Sequence, residues 1–347
     1  MDKSENTQPD GGGRRTPSIP DGLRDILPAE AASRRRLETR LRRAFEERAF
    51  GEVISPTFEF YDLLSVEAGS ALKREMVRFM GSDGRLLALR PEMTTTIARV
   101  VAQRLDREAG PHRLYYVANV FREEFSKHGQ AREFWQAGIE LVGGAGGRDA
   151  DAEVIALFVE ALAAAGLVDF QVGLGQIGFL EGALKALPVT EAGRESLRSA
   201  LDERSLVKYR AAVGALGLDD KSAAKLISIP TLRGGPDIFE TAESLAIGDE
   251  AGAALDHLKD VWAELDSVGL ADRVVIDLGL WRGFDYYTGL VFEAYTPGLG
   301  VPVGSGGRYD NLLAEFGRPQ PAAGFAVGLE RLQLALAQSV SPPGAGS

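Results

Sequence analysis

Apolar and polar positions along the chain change period several times, and each change marks an element. In "PAEAASRRRLETRLRRAFEERAF" (28–50), Leu37, Leu41, Ala44 and Phe45 form one stripe with arginines elsewhere. That is an amphipathic helix beginning after Pro28. "GEVISPTFEFYD" follows as a strand broken at Pro56. In "RLLALRPEMTTTIARVVAQRL" an apolar strand ends at Arg90-Pro91, and Ile97, Val100, Val101 and Leu105 then set a helical period. Glu92 and the run Thr94–Thr96 fall at the strand-to-helix turn, where short polar side chains cap a helix and also face anything bound above the strand ends. "HRLYYVANVFREE" (112–124) and "REFWQAGIELVGG" (132–144) read as a hairpin around "FSKHGQA", with a helix over 150–165 to follow.

From about 176 to 261 the pattern breaks into short Ala-, Leu-, Glu- and Arg-rich helical pieces interrupted by proline and glycine, as in "SIPTLRGGPDIF". This predicts a small helical insertion at 176–261 within a core of residues 18–175 and 262–338. Polar, Gly/Pro-rich tails at 1–17 and 339–347 are expected to be disordered. Strands resume in "RVVIDLGLWRG" (273–283), "YYTGLVFEAYTP" (286–297) and "VPVGSGGRYD" (301–310). A small-residue strand then runs into a helix in "AAGFAVGLERLQLALAQ" (322–338). Short turns favour antiparallel pairing, so the expected fold is α+β: a mostly antiparallel sheet with flanking helices.

Composition narrows the chemistry. The 347 residues are 45% hydrophobic, enough for a sizeable core, and the net charge of −11 argues against a chain devoted to nucleic acid. With no cysteine, disulfides, thiolate-zinc sites and thiol nucleophiles are excluded. His112, His128 and His257 are the only histidines and include no i, i+4 pair, so no metal site is expected. The longest apolar run, 152–168, contains Glu153 and Glu160 and is too short to span a bilayer, and the N-terminus has no signal-like apolar core. A cytoplasmic protein without membrane contact is the expectation.

Polar side chains concentrate in a few places. Gln136 and Glu140 are four apart on one strand and share a face, and Arg122 and Arg132 flank the turn of that hairpin. A face carrying Gln136, Glu140 and Arg122, with Tyr286 a candidate fourth member, is costly to bury empty, so it either recognises a ligand with an imidazole, amine and carboxylate or is a solvated sheet face. In "WRGFDYYTGLVFEAY", Arg282 could hold a carboxylate by a bidentate pair, and a surface ion pair with Asp285 is the plainer reading. Strand alternation sends Tyr286 and Tyr287 to opposite faces, so only one of them would meet a ligand. The glycines of "SGGRYD" (305–310) either admit a ligand close to the backbone or make a tight turn. Arg331, in the first helical turn after "GFAVG", suits a phosphate beside helix-terminal amides, and a solvated arginine on an exposed helix is the plainer reading.

In their order, "GLRDILP", "RPEMTTTIAR", "FREEFSKHGQAREFWQAGIELVG", "RGFDYYTGLVFE", "SGGRYD" and "GFAVGLERL" resemble the class II aminoacyl-tRNA synthetase core, and specifically the histidyl-tRNA synthetase group, from about residue 18 to 338. The resemblance implies a catalytic-type antiparallel sheet and a dimer formed through the first helix-strand segment. It also implies a histidine site in which Glu92 and Thr94 meet the amino group, Gln136, Glu140, Tyr286 and Tyr287 line the pocket, and Arg282 lies near the carboxylate. Arg122 and Arg331 would face ATP phosphates.

The departures are as informative. Phe125 and Gln130 stand where the family's hairpin carries arginines, Trp135 replaces a histidine, and Met93 stands where glycine is usual. Two missing cations should cost a triphosphate clamp several kcal/mol of transition-state stabilisation. Sixteen residues follow Arg331, too few for an anticodon-binding domain. This combination resembles the regulatory-subunit branch attached to ATP phosphoribosyltransferase. That likeness implies a non-catalytic chain without cofactor or catalytic residues, with a vestigial ATP-phosphate site at Arg122 and Arg331. Its partner would be the short-form catalytic subunit in a hetero-octamer of four plus four, under feedback by histidine. A histidine-activating ligase is the alternative.

Overall fold

A computed structural model of the protein describes residues 19–66, 68–105, 107–108, 110–123, 131–281 and 286–340. The hairpin turn 124–130, Arg282 and Asp285 lie outside the described residues, as do most of the expected tails.

The first half supplies one edge of a large sheet. Helix α1 (Pro28–Glu47) takes proline at its start and buries Leu37, Leu41 and Phe45. The stretch 51–62 is two strands rather than one: β1 (Gly51–Glu52) joins the main sheet, whereas β2 (Phe58–Phe60) joins a small one. Short helices α2 (Tyr61–Leu64) and α3 (Ser70–Glu75) lead to β3 (Arg78–Met80) and β4 (Leu86–Leu89), which complete the small sheet in the order β2-β4-β3. Helix α4 (Thr94–Arg104) follows, then the long hairpin of β5 (His112–Phe121) and β6 (Glu133–Val142). Helix α5 (Gly147–Ala165) closes with Gly166 in the left-handed conformation at φ 105°, where glycine avoids the Cβ penalty.

An element absent from the sequence reading comes next. Strand β7 (Gln171–Gln176) passes directly into α6 (Ile177–Lys185), and its glycines hide the strand period. Helices α7 (Glu191–Asp202), α8 (Leu206–Ala215), α9 (Asp220–Ser228), α10 (Ile238–Leu245) and α11 (Asp249–Ser267) follow, with the two-residue strand β8 (Arg233–Gly234) among them. The chain finishes with β9 (Val274–Asp277), β10 (Leu290–Tyr295), β11 (Gly304–Arg308), β12 (Ala322–Gly328) and α12 (Leu329–Val340).

The main sheet has nine strands in the order β1-β5-β6-β12-β11-β10-β7-β9-β8. It is antiparallel except for β1 on β5 and β7 on β9. A parallel pair needs a long crossover, and α6 to α11 provide it between β7 and β9, with α11 packed on α5 and α6.

The two faces of this sheet differ in kind. One carries Tyr115, Ile139, Phe325, Phe292 and Leu174 and packs on α1 and α5 through Phe45 and Phe158, giving the main core. Register places the residues between them on the other face: Gly138 and Glu140 opposite Ala326 and Gly324, Gly324 opposite Gly307, and Ser305 opposite Glu293. That second face is a floor of glycine, alanine and serine from which a few polar side chains rise.

Candidate functional site

Over this floor lies a cavity of ≈ 1360 Å³, larger than the few hundred Å³ common for one small ligand. Hairpin residue Gln136, Thr94 from the start of α4, and Tyr116, Tyr286, Tyr287 and Tyr309 line its inner end. Glu140 is 1% exposed beneath them. Thr94 Oγ1 donates to Glu140 Oε1 at 2.8 Å, and the Tyr309 hydroxyl donates to Oε2. The backbone of Gly324 lies against the same carboxylate, so close that a Cβ there would fall 1.8 Å from Oε2. Tyr116 fits for a similar reason: a Cβ on Gly138 would sit 2.5 Å from its hydroxyl.

Glu92 is also buried, and its carboxylate accepts from the backbone N–H groups of Thr94 and Thr95, the latter at 3.0 Å. The helix is therefore capped by Glu92, not by the threonines, and Thr94 is released to bond Glu140. The physical reason is charge: a carboxylate meets orphan amide dipoles more strongly than a hydroxyl does. Burial raises the Glu92 carboxyl above the usual range against those bonds. Burial likewise pushes Glu140 up to about 8, opposed by the hydroxyl bonds from Tyr309 and Thr94.

This has a consequence for stability. Between the ordinary carboxylate range and about pH 8 the folded chain holds a proton on Glu140 that the unfolded chain has lost. Stability from this group therefore falls as pH rises through that window. Glu140→Gln is expected to flatten the fall, narrowing the difference in melting temperature between about pH 5 and about pH 8. An unchanged difference would show that Glu140 titrates normally.

Two expectations about the tyrosines and glycines are corrected. Tyr286 and Tyr287 precede β10 rather than standing in it, so alternation does not apply. Both line the cavity, with ring centroids 4.8 Å apart. Gly306 and Gly307 form neither a turn nor a bare ligand floor, since they lie in β11 and their space is taken by the rings of Phe292 and Tyr287.

The outer end holds the cations. Arg122 lines the cavity, donates from Nε to the Pro91 carbonyl at 3.2 Å and lies 5.4 Å over the Phe134 ring. Arg331, in the first turn of α12, lines it too and donates to the Pro302 carbonyl at 3.0 Å. Arg132 pairs instead with Glu123 at 3.6 Å, away from the lining. Among the described residues no group of three His, Asp or Glu side chains is placed to hold a metal, and no helix is long and apolar enough to cross a membrane.

Several lining residues escaped the sequence reading. Tyr116 was accessible to it, because cross-strand pairing with Gly138 puts it on the face of Gln136 and Glu140. Tyr309 lies inside the quoted "SGGRYD". Met93, which the sequence marks as a departure from glycine but not as a site residue, is 1% exposed, lines the cavity and shares a buried cluster with Tyr116, Phe134 and Tyr286. Arg204, in the turn after α7 at φ 52°, reaches 3.2 Å to the buried Glu293 on β10, a long-range contact with no local signal.

Comparison with known proteins accords with this architecture. A family model described as histidyl-tRNA synthetase matches residues 22–332. The ATP phosphoribosyltransferase regulatory subunit of Moorella thermoacetica is 46% identical over 330 residues, 94% of this chain and 84% of that one. A histidine–tRNA ligase of Thermococcus kodakarensis is 42% identical over 90% of this chain and 72% of its own. The crystal structure of an ATP phosphoribosyltransferase regulatory subunit/histidyl-tRNA synthetase from Bacillus halodurans superposes with a TM-score of 0.86 at 36% identity, covering 92% of this chain and 83% of that one. The chain therefore belongs to the histidyl-tRNA synthetase family, and within it to the branch of ATP phosphoribosyltransferase regulatory subunits.

Proposed function

We propose that this chain is required for the activity of a short-form ATP phosphoribosyltransferase catalytic subunit, with which it assembles four plus four in the cytoplasm, in the first step of histidine biosynthesis. In this reading the inner end of the cavity binds histidine. Glu92 and Thr94 meet the amino group, Gln136, Glu140, Tyr286 and Tyr287 surround the ring, and Arg282 and Arg122 approach the carboxylate. Occupancy then lowers the activity of the assembly. Arg122 and Arg331 are the remains of an ATP-phosphate site, residues 176–261 are a helical insertion, and the first helix-strand segment pairs two copies.

The observation that carries the reading is the 46% identity to a regulatory subunit along 94% of the chain. Mixed with a short-form catalytic subunit, the chain should co-elute with it on size exclusion and raise its turnover. Histidine should then reduce that turnover by about tenfold, within the usual range of coupling between sites. Failure to co-elute would contradict the proposal. Changing Glu140 or Tyr287 should weaken inhibition and leave assembly intact.

A second reading, histidine activation with ATP, is favoured by the 42% identity to a histidine–tRNA ligase and by two arginines on the cavity. Histidine-dependent exchange of pyrophosphate into ATP would establish it in place of the first.

A further inference from the structure

Among the described residues from α6 to α11, two line the cavity: Asp202, the last residue of α7, and Arg204 in the turn before α8. Residues 202–204 are exposed, yet the Arg204 side chain reaches down to the sheet. Its Nη2 donates to both oxygens of Glu293, at 3.4 and 3.2 Å, and its Nη1 donates to the Tyr295 hydroxyl at 3.1 Å. Tyr295 donates to the same carboxylate. Glu293 is itself buried and lines the cavity. Register gives its place on the floor. Val291, Gly307, Gly324 and Glu140 form one row across β10, β11, β12 and β6, and Glu293, Ser305, Ala326 and Gly138 form the next. Arg204 is therefore planted one row from Glu140, toward Gly328 and the Arg331 that follows it.

Two states of this contact are within reach of one another. Closed, a guanidinium meets a buried carboxylate, where charge pairing is stronger than in water. That state holds Arg204 at φ 52°, a region that residues with a Cβ occupy only where their neighbours enforce it. Open, the backbone strain is relieved and a side chain already 61% exposed returns to water. The flanking helices keep other anchors: Arg198 on α7 pairs with Glu181 on α6 at 2.9 Å, and the buried Tyr209 of α8 donates to the Leu226 carbonyl. The turn can therefore lift while the helices stay packed. At the inner end Glu92, Tyr116, Glu140, Tyr286 and Tyr309 are all buried, so a ligand comes and goes on the outer side, past the turn. We propose that the α7–α8 turn is a strap across the cavity, fastened by Arg204 to Glu293 and Tyr295, and that it lifts to let a free amino acid reach or leave the inner end. The inference rests on the reading of that end as a histidine site.

The test titrates the full chain with L-histidine and reads binding and release rates from the line shapes of the ligand's imidazole protons, beside amide hydrogen exchange of the free protein. Arg204→Gly is the decisive variant, because glycine accepts the left-handed backbone and only the guanidinium is lost. Binding and release should both quicken by about tenfold, the scale of one charge-assisted hydrogen bond, with Kd moved by less than about threefold. Exchange at the Arg204 and Ser205 amides, which donate to the Leu201 and Ala200 carbonyls, should quicken by a similar factor. Tyr295→Phe keeps the pair with Glu293 and should give a smaller change in the same direction. Unchanged rates in Arg204→Gly would overturn the strap, with or without faster exchange, and leave the histidine site standing. Faster release at an unchanged binding rate would also sink it, by making Arg204 a direct ligand contact. No binding of histidine by the wild type would overturn both readings.

Discussion

Replacing Gly324 by alanine is expected to lower histidine affinity by roughly 100-fold, equivalent to losing about 3 kcal/mol of bonding to a charged group. The new Cβ would fall 1.8 Å from Glu140 Oε2 and 2.4 Å from the Ile139 carbonyl. The carbonyl belongs to the neighbouring strand and cannot swing aside, so either Glu140 leaves its place beneath Thr94 and Tyr309 or β12 parts from β6. Both outcomes cost packing, about 1–3 kcal/mol in a dense interior. Calorimetric titration together with thermal melting reads the two effects. Gly214 in α8, where nothing lies within 4 Å of an added Cβ, is the control: alanine there should leave affinity alone and stabilise slightly. Full affinity in Gly324→Ala would mean that Glu140 is not held where β12 presses on it.

The second large effect concerns the opposite side of the same strands. Arg308, at the end of β11, turns away from the cavity and pairs with Asp151 on α5 at 2.7 Å, with relative exposures of 8% and 3%. It also holds Asp310 at 2.9 Å, and His257 on α11 reaches the other oxygen of Asp151 at 2.8 Å. Removing one partner of a buried pair strands the other charge, which costs about 3–5 kcal/mol. Arg308→Met is expected to lose that much in denaturant unfolding, and adding Asp151→Asn to recover part of it, because the stranded charge is then gone. A loss under about 1 kcal/mol would class the pair with exposed ion pairs.

Much of this was legible in the chain. Alternation in "EFWQAGIELV" separates Gln136, Gly138 and Glu140 from Ala137, Ile139 and Leu141, and the same alternation in "AAGFAVG" leaves Gly324, Ala326 and Gly328 on one side. What it does not tell is which strands adjoin. That β6 lies beside β12 is a contact between segments far apart in the chain, as Glu140 opposite Gly324 shows, and only the pairing turns two small-residue rows into one floor. Glu92 shows a different limit. Threonines after a strand are a fair capping signal, but a neighbouring carboxylate outcompeted them, and the freed Thr94 became part of the site. Tyr286 and Tyr287 were misassigned because period-2 logic holds only inside a strand, and β10 begins at Leu290.

The position of β12 has one more implication, for assembly of the fold. Ala322–Gly328 sits between β6 and β11, near the centre of the sheet, although it follows every other strand of that sheet along the chain. Until it inserts, the nascent chain carries two open backbone edges flanking an unfilled slot, the kind of edge that recruits foreign strands. Truncation just before residue 322 should therefore split the molecule and make it aggregate, whereas shortening the surface helices would spare the sheet.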